Sequence, residues 1–297
     1  MLAGMPMAGA LSSDALPGTY ARISKTDTHV HLFDLDALSY SWLDRAPEIN
    51  RSFDLDDFSD ATRKASVTKI LFMESGADAG QGVREAKKVQ RLAQKEKKIK
   101  GIIANLDLNR GKEAAPALEQ LLELELLKGV RCGFPKDAHL SSDFEAGLEL
   151  LRDHQLTFDL LLSPDRMEAA AYLAKKFPDN TFIIDHIGNP DIKNKRLAEW
   201  KVGIKKLSIL PNVHCKISGV ITRVGQGWKL PDIEPYVAFV IKQFGIDRLV
   251  YGGDWPVVLR AGSYLSWARA FESLTEDLSK DEQKKICHQN ADHIYNL

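Results

Sequence analysis

Three short stretches carry the side chains best suited to chemistry: Asp27-Thr28-His29-Val30-His31, Asp185-His186-Ile187-Gly188 and Gly252-Gly253-Asp254-Trp255-Pro256. Imidazoles two residues apart on a strand project to the same side, so His29 and His31 would share a metal ion or polarise one substrate. The His-X-His pattern alone is weak, because eight histidines in 297 residues produce one by chance about one time in five. His186 closes an apolar run just before a glycine, where a structural histidine is the competing reading. Asp254 stands beside glycines, where a carboxylate either reaches a reaction centre or caps a turn. The three features follow three different β-rich runs. Their coincidence points to one centre, with imidazoles to hold a metal or polarise a carbonyl and a carboxylate to move protons.

The elements that would position these groups alternate. Strands are expected at Lys25–His31, Lys69–Glu74, Gly101–Leu106, Gly129–Gly133, Thr157–Leu162, Thr181–Asp185, Val213–Ser218 and Arg248–Gly252. They are short, apolar and rich in β-branched residues, as strands buried on both faces are. Helical periodicity covers Val83–Gln94, Ala114–Leu127, Asp165–Phe177, Pro235–Phe244 and Tyr264–Leu274, and Ser279-Lys280-Asp281-Glu282 reads as a capping box before a last helix. Ser163-Pro164 reads as the cap and first turn of the Asp165–Phe177 helix. Eight such βα units predict a single-domain α/β chain, a (β/α)₈ TIM barrel over residues 23–297 with an N-terminal extension at 1–22. A doubly wound open sheet is the rival, but no Gly-X-Gly-X-X-Gly follows the first strand. Residues 40–58 read as a long loop over the barrel mouth, a candidate lid.

Composition narrows the partners. The 40 basic and 41 acidic residues leave a formal charge of −1, which argues against nucleic acid or an anionic membrane and for a small molecule. No apolar run approaches a membrane span, and the first twenty residues lack the basic start of a secretory signal. Three cysteines, Cys132, Cys215 and Cys287, without a Cys-X-X-Cys pair argue for a reducing compartment, and the two within expected strands, Cys132 and Cys215, for buried thiols. A cytoplasmic location follows by elimination, and a homo-oligomer is left open.

Taken in order, Thr28-His29-Val30-His31, Asp185-His186-Ile187-Gly188-Asn189-Pro190, Lys216-Ile217-Ser218-Gly219 and Tyr251-Gly252-Gly253-Asp254-Trp255-Pro256 resemble the amidohydrolase superfamily. The nearest likeness is to its sugar-acid lactonases of the fuconolactonase and rhamnonolactonase types and to 2-pyrone-4,6-dicarboxylate lactonase. Tyr40-Ser41-Trp42-Leu43, Lys128-Gly129-Val130-Arg131 and Asn290-Ala291-Asp292-His293-Ile294-Tyr295 add to it, so the resemblance spans about Lys25 to Leu297. It implies a lactone hydrolase in which Asp254 is the general acid/base. His29, His31 and His186 would act on the carbonyl directly or, with Asp254, hold one divalent metal, zinc first.

The same resemblance makes Arg131 and Lys216 candidates for binding substrate oxygens, against interstrand salt bridges. Trp42 and Trp255 become pocket walls or core, Arg223 a carboxylate anchor or a solvated arginine, and Glu74 a weaker mouth candidate. The chain departs from that branch at Gly253, usually a serine, and at Arg223, usually acidic. No lysine stands at the end of the fourth strand to carry a bridging carboxylate, so a two-metal centre is not expected. The alternative function is metal-dependent decarboxylation of an unsaturated or aromatic carboxylic acid.

Overall fold

The structure, a computed structural model, describes residues 23–297; the expected extension at 1–22 lies outside the described residues. Eight parallel strands follow one another around the sheet in sequence order: β1 (Lys25–Val30), β2 (Val67–Met73), β3 (Ile99–Asn105), β4 (Leu127–Arg131), β5 (Thr157–Leu160), β6 (Phe182–Ile184), β7 (Val213–Ile217) and β8 (Leu249–Tyr251). The helices between them are α1 (Leu55–Thr62), α2 (Gly82–Ala93), α3 (Ala115–Leu122), α4 (Ser142–Asp153), α5 (Met167–Lys176), α6 (Ala198–Ser208), α7 (Leu230–Phe244) and α8 (Tyr264–Leu274). The result is a nearly closed (β/α)₈ TIM barrel, as the alternation of short apolar runs and amphipathic segments requires.

Register places the chemistry. Ladders such as Gly129↔Thr157, Val130↔Phe158 and Arg131↔Asp159, or Cys215↔Leu249 and Ile217↔Tyr251, bring all strand ends to one rim. The β1–β8 seam is different. It is closed by the segment after β8, where Val30 and Trp255 form an isolated parallel bridge.

The 40–58 segment is a packed wall. Its two 3₁₀ turns, Ser41–Arg45 and Pro47–Ile49, bury Leu43 and Ile49, and Phe53 pairs with Phe33 through both backbone bonds. An Arg260–Glu48 ion pair of 2.7 Å ties it to the segment after β8. The segment runs into α1, which begins at an Asp54–Asp57 capping box. The Ser279–Glu282 box is formed and starts α9 (Lys280–Lys284); a π turn joins it to α10 (Asn290–Ile294). The Ser163 hydroxyl does not cap; it donates to Asp165, and α5 is entered through a 3₁₀ turn at Pro164–Arg166. All three cysteines are free and buried. Among the described residues no helix is long and apolar enough to cross a membrane.

Candidate active site

Asp254 is the hub of the barrel mouth. Its Oδ1 lies 3.8 Å from His29 Nε2, 3.8 Å from His31 Nε2 and 3.9 Å from His186 Nε2. The three imidazoles are themselves in contact, with ring centroids 4.9 Å apart for His29–His31 and 4.4 Å for His29–His186. The three motifs singled out in the sequence therefore meet at one carboxylate oxygen.

Each imidazole has a polar group behind its Nδ1, hydrogen-bonded for His31 and His186 and in ion-pair range for His29. Nδ1 of His31 faces the Met73 carbonyl at 3.1 Å, that of His186 the Ser218 hydroxyl at 2.9 Å, and that of His29 the Asp185 carboxylate at 3.4 Å. A carbonyl or an ionised carboxylate only accepts. Nδ1 of His31 and of His29 therefore carries the proton, and Nε2 presents a lone pair toward Asp254. Burial keeps the rings neutral: it lowers His31 and His186 to about 3 and takes His29 well below the ordinary histidine range. Burial also raises Asp254 to about 7, against the opposing charges of Arg223 and then Arg131.

The backbone at these positions is unusual. His186 and Asp254 adopt left-handed φ values of 54° and 56°, which side-chain-bearing residues seldom do. The Lys216-Ile217-Ser218-Gly219 run serves the same centre. Ser218 holds His186, and a Cβ on Gly219 would sit 2.5 Å from His186 Nδ1 and 3.0 Å from Asp254 Oδ2, so only glycine allows that approach.

Beneath the imidazoles lies a buried ion network. Arg131 donates to Glu74 Oε1 (2.6 Å), the Glu74 carbonyl (2.8 Å) and Asp185 Oδ2 (3.1 Å), and its Nη1 stands 3.3 Å from His29 Nε2. Lys216 is fully buried and its ammonium contacts Asp159, Thr28 O (3.0 Å) and Asp185 Oδ1 (3.2 Å). Interstrand pairing, the alternative weighed for both cations, is thus what the structure contains. Trp42 is half-buried, donates to the Ser75 carbonyl at 2.9 Å and meets Phe33 edge-on. Trp255 is buried against Phe53 and Phe58. Arg223 is exposed on the turn after β7, and its side chain makes no ion pair among the described residues.

Asp185, Asp159 and Asp27 were not assigned roles from sequence. The signal was available. Asp159 and Lys216 are charges inside apolar strands buried on both faces, and such charges need partners.

Fold and centre together define a (β/α)₈-barrel enzyme with a three-histidine, one-aspartate centre at the strand ends. The chain belongs to the amidohydrolase family, whose sequence profile matches residues 26–297. It is 26% identical to the L-fucono-1,5-lactonase of Burkholderia ambifaria over 285 residues, covering 92% of this chain and 96% of that one. It is 28% identical to the uncharacterised protein y4mH of Sinorhizobium fredii over 299 residues, 93% of this chain and 99% of that one. Among solved structures, an amidohydrolase from Burkholderia multivorans with bound zinc shares the fold at a TM-score of 0.82 and 24% identity, covering 92% and 99% of the two chains.

Proposed function

We propose that the protein hydrolyses the lactone ring of a sugar acid or a related carboxylic acid, which would place it in carbohydrate metabolism. The observation that carries this reading is the convergence of three neutral imidazoles on Asp254 Oδ1. Similarity to a fuconolactonase over nearly the whole chain supports the lactone as substrate class.

The residues fit one divalent ion, zinc first. His29, His31 and Asp254 offer ligand atoms within 4.8 Å of one another, and His186 completes the ring around Asp254. The Nδ1 partners are a carbonyl, a hydroxyl and a carboxylate, the kind of support that orients metal-bound histidine. Such an ion would acidify water and polarise the lactone carbonyl. Direct hydrogen-bond donation by the imidazoles, the other route open to this set, agrees less well with lone pairs on His29 and His31 Nε2.

The protein's own part is proton handling and orientation. Asp254 takes the proton from the attacking water as the new C–O bond forms. It returns the proton to the ring oxygen as the ring C–O bond breaks, leaving a hydroxy acid. Lys216 and Arg131 hold Asp185 behind His29, and Arg131 reaches the centre through Nη1. Arg223, free of ion pairs at the rim, is suited to a substrate carboxylate or hydroxyl. Phe33 stacks against His31, with ring centroids 6.2 Å apart, and Trp42, edge-on to Phe33, is proposed with Trp255 as an aromatic wall of the substrate pocket.

A screen of aldonolactones and dicarboxylate lactones with a pH indicator, with zinc added or chelated, tests the reading. Acid release from at least one lactone is expected. No release from any, together with carbon dioxide release from an aromatic or unsaturated carboxylic acid, would replace it with the decarboxylase alternative.

A further inference from the structure

At the β1–β8 seam a side chain does the work of a strand carbonyl. Asp254 N–H donates to His29 O at 2.9 Å and His31 N–H to Trp255 O at 2.8 Å, as in a ladder. Just before them, Gly253 N–H donates to Asp27 Oδ1 at 2.7 Å. The same oxygen accepts His29 N–H at 3.0 Å, and Asp27 Oδ2 accepts the Tyr264 hydroxyl at 2.7 Å. Tyr251 supports that hydroxyl from 3.3 Å. Asp27 is fully buried and has no ion-pair partner among the described residues. Three directed donors are what hold its carboxylate in place.

We infer that Asp27 and Tyr264 are a positioning pair that fixes the Asp254 carboxylate against the three imidazoles. The inference rests on the proposed acid/base role of Asp254. One Asp27 oxygen binds the backbone of His29 and of Gly253, so β1 and the segment after β8 are referred to a common point. Asp254 holds a left-handed φ of 56°, a conformation that persists only where its surroundings over-determine it. Its own N–H is tied to His29 O, and its carbonyl accepts Val258 N–H at 2.7 Å. Trp255 O accepts His31 N–H and Gly252 O accepts Trp267 Nε1–H at 2.8 Å; between these ties, the peptide preceding Asp254 is anchored by its N–H on Asp27. Released there, the segment can relax and carry the carboxylate away from the Nε2 atoms. Gly253 belongs to the device, because a Cβ there would stand 2.4 Å from Asp27 Oδ2 and 2.2 Å from the Tyr264 ring.

The test compares Asp27→Ala, Asp27→Asn and Tyr264→Phe with the parent. Folding is checked by circular dichroism, kinetics are measured on a lactone the parent opens, and crystal structures are solved. Asp27→Ala should lose about 100-fold in kcat with KM changed less than about threefold, as displacement of a reacting group by about 1 Å does. Tyr264→Phe should lose about tenfold in kcat by the same argument. Asp27→Asn should recover most of the rate, because its amide oxygen still accepts both N–H groups while its NH₂ faces Tyr264. The Asp27→Ala crystal structure should show Asp254 Oδ1 withdrawn from the histidines. A folded Asp27→Ala or Tyr264→Phe with parental kcat, or Asp254 unmoved in the crystal, overturns the inference. If Asp27→Ala does not fold, Tyr264→Phe decides. If the parent opens no lactone, the lactonase reading fails, and the crystal comparison still judges the positioning pair.

Discussion

Replacing Glu85 with glutamine should make the barrel more stable in alkali than in mild acid, relative to the parent. Glu85 sits on α2, only 2% exposed, with Oε2 accepting Ser75 N–H at 3.2 Å and Oε1 accepting the Tyr40 hydroxyl at 3.3 Å. Burial, and then the charge of Glu74, raise its pKa from 4.5 to about 8. A carboxyl whose folded pKa is raised stays protonated in the fold while the unfolded chain releases its proton. Stability from this group is therefore complete below about pH 4.5, falls as pH rises, and levels off above about pH 8. The full loss is at most about 5 kcal/mol, of which about 3 falls between pH ~5.5 and ~8.5. Glutamine keeps both contacts, with its oxygen on Ser75 N–H and its NH₂ on the Tyr40 oxygen, but does not titrate. The advantage of Glu85→Gln over the parent should grow by ~5 °C in Tm across that interval. Scanning fluorimetry of both proteins at matched scan rates measures it. A Tm gap that stays flat, or narrows with rising pH, would refute the assignment of a neutral Glu85 to the fold.

The other expectations concern the centre itself. Asp254→Asn should lower kcat by about 10³-fold while Tm stays within a few degrees, measured on any accepted lactone. Ser218→Ala, which removes the partner of His186 Nδ1, should weaken zinc binding about 10- to 100-fold in competition with a chromophoric chelator. Arg131→Met leaves Glu74 buried without its cation and Asp185 with Lys216 alone, and should cost about 3–5 kcal/mol in urea unfolding. Arg131→Lys should recover only part of that loss, because an ammonium cannot make the same fork of bonds.

The barrel was legible because its strands are short β-branched runs, and each expected run overlaps a strand whose ends lie within a few residues of it. The helices were read less completely. α4 and α6 carry Gly147 and Gly203, which weaken a helical reading. In the fold these glycines admit the Leu108 backbone and the Met167 side chain, since a Cβ would lie 2.8 Å from Leu108 O and 2.3 Å from Met167 Sδ. α1 is rich in aspartate and buries only Phe58 and Thr62, too little for a periodic signal. The leucine run at 114–127 merges two elements, because α3 stops at Leu122 and β4 begins at Leu127. At the site, the two-residue spacing on β1 and the polar groups ending β6 and the segment after β8 were enough to bring His29, His31, His186 and Asp254 together. Which carboxylate partners which cation was not readable. Arg131–Asp185 and Lys216–Asp159 join side chains 54 and 57 residues apart, and that pairing depends on barrel register.

The seam has a bearing on redesign. A library that varies the segment after β8 to change substrate preference also varies the clasp that closes the barrel there. Substitutions at Gly253 meet Asp27 and Tyr264 before they meet any substrate. Winning combinations should accordingly carry compensating changes at Asp27 or Tyr264, residues 226 and 11 positions away in the chain. Single-site scans of that segment will then understate how much variation the mouth tolerates.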